Sequence, residues 1–311
     1  MAATIHAVHA DRLHYAWDNA LEPALRVSPG EQVRLHVRDA SDGQLGPDST
    51  AADVSRLDFD RVNPVSGPVY VEGARPGDVL AVEILDFARP SWGWTAIIPG
   101  FGLLADEFAE PWLRISTVDG DRVRFSDRIG LPLRPFPGTL GLASPEPGPH
   151  SILPPSRFGG NVDCKHLTPG AVLYLPVGVE GALFSLGDTH AAQGDGEVCG
   201  TAIETAMETT VRLDVRRDLR LDAPQVDLPR GLVADQSTSP YRICTGVGAD
   251  LLEASRDAVR AGIAWLGEEH GLEREEAYAL LSVAADLRIH EVVDAPNWVV
   301  GICTPLAIFE P

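Results

Sequence analysis

Proline and glycine interrupt this chain so often that they decide its architecture. The 311 residues include 25 prolines and 30 glycines, and over the first two thirds these recur every few positions, leaving no stretch long enough for a regular helix. Between the interruptions lie short β-branched runs. In "EQVRLHVRDA", Val33, Leu35 and Val37 alternate with polar neighbours, and "DVLAVEILDF" has the same character from Val79 to Phe87. "AVLYLPVGV", "GALFSLG" and "ETTVRLDVRRDLRL" extend the series, and turns such as "SPGE", "RPGD" and "TPGA" end the runs. About a dozen such runs suit a sandwich or barrel better than alternating βα units, so the expected class is mainly β with a sandwich-like body.

Beyond about residue 245 the pattern changes. Leu251, Leu252, Ala254, Ala258, Val259, Ile263 and Leu266 recur at helical spacing, a second helix is expected from about Glu273, and "NWVVGICTPLAIF" reads as a strand. No linker separates the two parts. The expectation is one domain over 1–311, with a β body over 1–235 and an α/β portion over 236–311 packed on it.

No run approaches the roughly 18 apolar residues of a membrane helix, and "MAATIHAVHADRLHYAW" has neither a basic start nor an apolar stretch of the kind a secretory signal carries. A cytoplasmic location is expected. The formal charge of −20 repels phosphate backbones and anionic bilayers, which argues against nucleic-acid and membrane partners. Cys164, Cys199, Cys244 and Cys303 lack metal-ribbon spacing and read as buried small side chains.

Three segments carry groups capable of chemistry. "SLGDTHAAQGDGE" offers Asp188, His190, Gln193, Asp195 and Glu197 among glycines that disfavour a helix, and is expected to be a loop. "FGGNVDCKHL" places Asn161, Asp163 and Lys165 at a loop-to-strand boundary, on one face if alternation continues. Glu204 in "GTAIETAM" is a carboxylate in an apolar run, which needs a cation or partner if it faces inward and none if it faces solvent. A solvated turn, an Asx turn and a wet strand face remain the plain alternatives for the three. His6, His9, His14, His36, His150, His270 and His290 show no ligand spacing, and Trp92 and Trp94 read as core or subunit-contact aromatics.

Taken together, "FGGNVDCKHLTPGAVLYLPV" and "GALFSLGDTHAAQGDGEVCGTAIE" resemble the paired GGN-x-D and GD-x-H-x-x-QGDGE signature of the acetamidase/formamidase family in order and spacing. "NPVSGPVYVEGARPGDVLAVEILD", "PFPGTLGLA" and "AYALLSVAADLRIHEVVDAPNWVV" resemble further landmarks of that family. The resemblance implies hydrolysis of short linear amides such as formamide or acetamide to a carboxylate and ammonia, a divalent metal site and a homo-oligomer. The expected partner is a small neutral amide.

Within that chemistry Asp163, His190 and Glu204 are the expected metal ligands, a mixed N/O set that favours zinc, with calcium or magnesium as alternatives. Such a cation would activate a water. Glu197 is the expected general acid/base with Asp195 as its competitor, and Asn161 and Gln193 are the expected oxyanion donors. There is no G-x-S-x-G elbow, while Cys164 and Cys199 leave a cysteine nucleophile as a minor alternative. Two positions depart from the family pattern: Asn63 and Phe158 stand where many relatives carry histidine. They motivate the alternative of a diverged hydrolase acting on another C–N bond, and a non-catalytic cation-binding β protein is the reading from another class.

Overall fold

The computed structural model describes residues 5–228, 240–291, 296 and 298–309. The expected division near residue 235 lies outside the described residues.

Two six-stranded sheets form the body. One runs in the order Ile5–Val8, Gln32–Val37, Met207–Arg216, Val79–Phe87, Val172–Pro176, Gln225–Asp227, and the other Gly159–Asn161, Phe136–Leu142, Phe184–His190, Val65–Val71, Leu13–His14, with Leu25–Val27 also on Val65–Val71. Val33, Leu35, Val82, Ile84, Val211 and Leu213 of the first sheet share one buried cluster with Val69, Phe136, Leu140, Phe184 and Leu186 of the second. This is the expected sandwich, and alternation is its cause: period-two apolar residues give each strand one face to bury. Twenty-one strands occur among the described residues. The surplus over the dozen runs read from sequence includes pairings of two to four residues, such as Leu13–His14 and His150–Ser151, too short for a period to register.

The C-terminal helical pair forms as expected, Leu251–His270 and Arg274–Ala284. Asp250 caps the first, its side chain accepting from the Glu253 amide at 2.9 Å. Ala254, Ala258, Val259, Ile263 and Leu266 face inward, whereas Leu252 is 59% exposed, because it stands off the helix face that the neighbouring residues bury. The pair packs with the four-stranded sheet Ile129–Pro132, Arg122–Ser126, Trp112–Asp119, Trp92–Ile97 around a second core that includes Phe125, Ile129, Ile263, Tyr278 and Leu280. A three-stranded sheet, Tyr241–Gly248, Trp298–Pro305 and Asp286–Glu291, completes this end.

The two parts meet at the segment after His190. The Gly194 amide donates to Ser282 O at 2.8 Å and the Leu287 amide to Asp195 O at 2.9 Å. A Cβ at Gly194 would lie 1.6 Å from Ala285 O, so only glycine allows this approach. Among the described residues no helix is long and apolar enough to cross a membrane.

Candidate active site

The expected loop around "GDTH" is in fact a strand. Phe184–His190 is buried along its whole length, between Phe136–Leu142 and Val65–Val71. Its glycine disfavours a helix but is compatible with an inner strand, and the loop begins only at Ala191. Asp188 turns through φ +55° within this strand, and on the neighbouring edge Gly159–Asn161 ends before Asp163, which has φ +44°. The alternation expected through Asn161, Asp163 and Lys165 therefore stops at Asn161. Asn63 and Glu197 also occupy the left-handed region, at φ +54° and +40°. Such backbone is costly for side chains other than glycine and gathers at functional sites.

These turns bring five ionisable groups together. Asp163, His190 and Glu197 form one set, and Asp188, His190 and Glu204 another, each with donor atoms within 4.8 Å of one another. His190 is completely buried; its Nε2 lies 3.2 Å from Asp188 Oδ1 and 3.2 Å from Glu204 Oε2. The Phe136 ring and the imidazole pack nearly perpendicular to each other, 4.9 Å between centroids. Glu204 faces inward, held by reciprocal backbone bonds with Trp94 and by the Ala202 amide donating to its Oε1 at 2.8 Å. Asp163 Oδ1 and His190 Nδ1 are buried without a hydrogen-bond partner among the described residues, and His190 Nε2 and Glu204 Oε2 are in ion-pair contact but make no well-aligned hydrogen bond.

Four carboxyl groups face a single imidazole, and their protonation reflects it. Burial first and the Asp188 charge second push Asp163 up to about 8. Burial pushes Glu204 up to about 7, against the pull of His190. Glu197 is raised well above the carboxylate range by burial and by Asp163. Burial works to raise Asp188 as well, but His190 outweighs it and the net shift is downward. Burial would lower His190, yet Glu204 and Asp188 carry it well above its usual value.

The buried, incompletely hydrogen-bonded oxygen and nitrogen donors of this cluster suit a divalent cation, and one glycine keeps room for it. A Cβ at Gly138 would lie 2.5 Å from Asp163 Oδ1, 2.7 Å from Asp188 Oδ2 and 2.7 Å from His190 Cε1. Beside it, Thr139 Oγ1 donates to Asn161 Oδ1 at 2.5 Å, and Asn63 Nδ2 donates to the same oxygen at 3.1 Å.

The structure thus gathers Asp163, His190, Glu197 and Glu204, with Asn161 reaching the cluster through Thr139, which lies 3.4 Å from Asp188 Oδ2. Asp195 goes elsewhere. Its carboxylate lies 3.3 Å from Lys165 Nζ, and Lys165 also pairs with buried Asp286. Gln193 donates one N–H to Asp163 O at 3.0 Å. Of the two departures, Asn63 joins the Thr139–Asn161 network, whereas Phe158 packs at the edge of the sandwich core. Cys164 and Cys199 are free, and burial raises both thiols, which suppresses the thiolate.

Sequence reasoning passed over Asp188 as a ligand, and gave Gly138, Thr139 and Asp286 no role although their segments were among the family landmarks. Asp188 had a signal, two residues before His190 in the same motif; the others come from distant strands, and their family-like segments marked a region without marking a role.

A profile of the acetamidase/formamidase family matches residues 3–150 and 146–311. The chain belongs to the acetamidase/formamidase family. It is 28% identical to a formamidase of Methylophilus methylotrophus over 96% of this chain and 90% of that protein. It is 32% identical to an acetamidase of Mycolicibacterium smegmatis over 61% of this chain and 63% of that one. Among solved structures, a gamma lactamase from Delftia acidovorans superposes with a TM-score of 0.88 at 26% identity, covering 96% of this chain and 90% of that one. Acetamidase from Bacillus halodurans superposes with a TM-score of 0.68 at 31% identity, covering 98% of both chains. As a member of this family the protein is an amidase, a hydrolase of carbon–nitrogen bonds other than peptide bonds. The non-catalytic reading is set aside.

Proposed function

We propose that this amidase converts short linear primary amides, of the formamide and acetamide type, to the carboxylate and ammonia at the cluster around His190. The observation that carries the reading is the convergence of buried, incompletely hydrogen-bonded donors on Asp163, His190 and Glu204, in a member of a family with formamidase and acetamidase relatives. Asp163, Asp188, His190 and Glu204 would hold a divalent cation, and the imidazole in both donor sets favours zinc over calcium or magnesium. Such a cation supplies polarisation of the amide carbonyl and a lowered pKa for water in the site.

Water adds to the carbonyl carbon, the C–N bond breaks, and the nitrogen leaves as ammonia after gaining a proton. Glu197, whose pKa is raised, is the group suited to hold that proton and deliver it to the leaving nitrogen. Asn161 uses its Oδ1 to accept from Thr139 and Asn63, which leaves its NH2 group as a donor to the developing oxyanion. Asp195, paired with Lys165, is the weaker candidate for proton transfer.

A second reading, opening of a cyclic amide, is supported by the higher superposition score with the Delftia gamma lactamase than with the Bacillus acetamidase. We also propose a homo-oligomer, checked by light scattering. Cys164, Cys199 and Cys244 form no disulfide among the described residues, which supports a reducing compartment such as the cytoplasm.

The test is ammonia release from formamide, acetamide, propionamide and a longer linear amide, with ring opening of a γ-lactam in parallel, before and after chelation and zinc readdition. Chelator-sensitive release from the linear amides supports the proposal. Turnover of the lactam alone transfers support to the second reading, and no turnover of any substrate with metal bound rejects both.

A further inference from the structure

We propose that Gln193 is the residue that recognises the substrate as an amide, its carbonyl oxygen accepting an N–H from the scissile carboxamide. The inference rests on the amide-hydrolysis reading above and deepens it. It also differs from the oxyanion-donor role expected from sequence.

Gln193 is only 8% exposed, and its orientation is forced. Nε2 donates to the Asp163 backbone carbonyl at 3.0 Å, and because a carbonyl can only accept, the reverse orientation would oppose two oxygens. The side-chain oxygen, Oε1, is thereby turned away, buried and without a partner among the described residues. Both flanking residues are pinned: Ala192 O accepts from the Ile203 amide at 3.0 Å and the Gly194 amide donates to Ser282 O at 2.8 Å. A rigidly held acceptor with nothing to accept from is unfavourable unless a ligand completes it.

The surroundings indicate which ligand. Gln193 lines a cavity of about 660 Å³ with Phe136, Lys165, Ala192, Tyr241 and Asp286. Through Nε2 it also touches the backbone of Asp163 in the cluster. Phe136 makes the same link, lining the cavity and packing on His190. A molecule in the cavity with its polar end against Oε1 therefore needs a hydrogen-bond donor at the end nearest the cluster. A primary amide has two such N–H groups, whereas an ester, a carboxylate or a ketone has none.

The test compares kcat/KM for a primary amide and for the methyl ester of the same acid in the wild type, Gln193→Met and Gln193→Leu, with metal content and melting temperature measured on each. The expected result is a fall of about tenfold or more for the amide with the ester within about threefold, so that the amide-to-ester ratio collapses. A parallel fall for both substrates would assign Gln193 to the oxyanion or to structure and overturn the proposal, as would no change in either.

The unaltered protein provides a check independent of variant folding. An N-methyl amide keeps one N–H and an N,N-dimethyl amide keeps none, so the second methylation should cost much more than the first; equal costs would indicate bulk alone and overturn the proposal. Silence on every amide and ester with metal bound would reject the amidase reading at this site together with this inference. Turnover with an unchanged amide-to-ester ratio in the variants would reject only the role of Gln193.

Discussion

Asp42 and Asp163 are the same residue in nearly the same backbone conformation, φ +55° and +44°, and their carboxyl groups differ only in what surrounds them. Asp42, its side chain fully buried, accepts from Arg38 Nη1 at 2.7 Å, Arg61 Nη2 at 2.5 Å and the Tyr15 hydroxyl at 3.0 Å. Burial works to raise its pKa, and the two arginines overcome it, so Asp42 lies below the usual range. Among the described residues no arginine lies beside Asp163. It faces Asp188, Glu204 and Glu197 across one imidazole, keeps Oδ1 unpaired and is pushed up to about 8. Left-handed backbone is therefore not itself the mark of the site; incomplete electrostatic compensation is. A buried carboxylate with all its partners stabilises the fold, and one without them is available to a cation.

The comparison can be broken most directly by activity. Glu197→Gln should lower kcat by about 100- to 10,000-fold if it is the proton donor, and Asp163→Asn by at least about 100-fold with loss of bound metal, whereas Asp42→Asn should leave kcat within a few-fold. Ammonia release and metal stoichiometry on the three variants check this. Turnover of Asp163→Asn near the wild-type level would remove the residue from the mechanism.

Gly138→Ala places a Cβ within 2.7 Å of Asp163 and Asp188 without touching Asp42. We expect metal affinity to drop by about 10- to 100-fold with the melting temperature of the metal-free protein little changed, measured by competition with a chromogenic chelator. Asp42→Ala should do the converse. It leaves two half-exposed arginines without their buried partner, at a cost of about 2 kcal/mol in denaturant unfolding, while the remaining folded fraction binds metal normally.

The smallest effect is one of pH. In the metal-stripped protein burial pushes Glu204 up to about 7 and Asp163 up to about 8, Glu197 is also raised well above the carboxylate range, and the unfolded chain loses these protons near pH 4. Groups raised on folding contribute stability that is full below about pH 4 and is lost as pH rises through the folded values. His190, also raised, acts in the same direction. The melting temperature of the metal-free protein should thus fall by several degrees between pH 5 and 8.5, and zinc should abolish the slope. Asp42 and Asp188, lowered on folding, act with the opposite sign and only below about pH 4.

Much of this was legible before any coordinates. Val33, Leu35 and Val37 announced a half-buried strand, Ala254 through Leu266 announced a helix, and the spacing from Asn161 to Glu204 pointed to the donors that converge. The misreadings share a cause. "GDTH" looked like a loop because its polar and glycine residues resemble turn chemistry, yet neighbouring strands on both sides accept its backbone bonds. Between Glu197 and its competitor Asp195, two residues apart, the sequence offered little beyond order of preference. The turn between them, ending in Glu197 at φ +40°, sends one carboxyl to Lys165 and the other to Asp163.

The sequence by itself determined the element types and the inventory of donors, because period, turn chemistry and side-chain type are local properties. Only the tertiary structure decided which donors share a site. It brought Gly138, Thr139 and Asn63 to residues up to about a hundred positions away, and it shifted the pKa values of two identical aspartates in opposite directions. The physical reason is that hydrogen bonding, desolvation and charge interaction depend on distance and burial in space, and neither quantity is written along the chain.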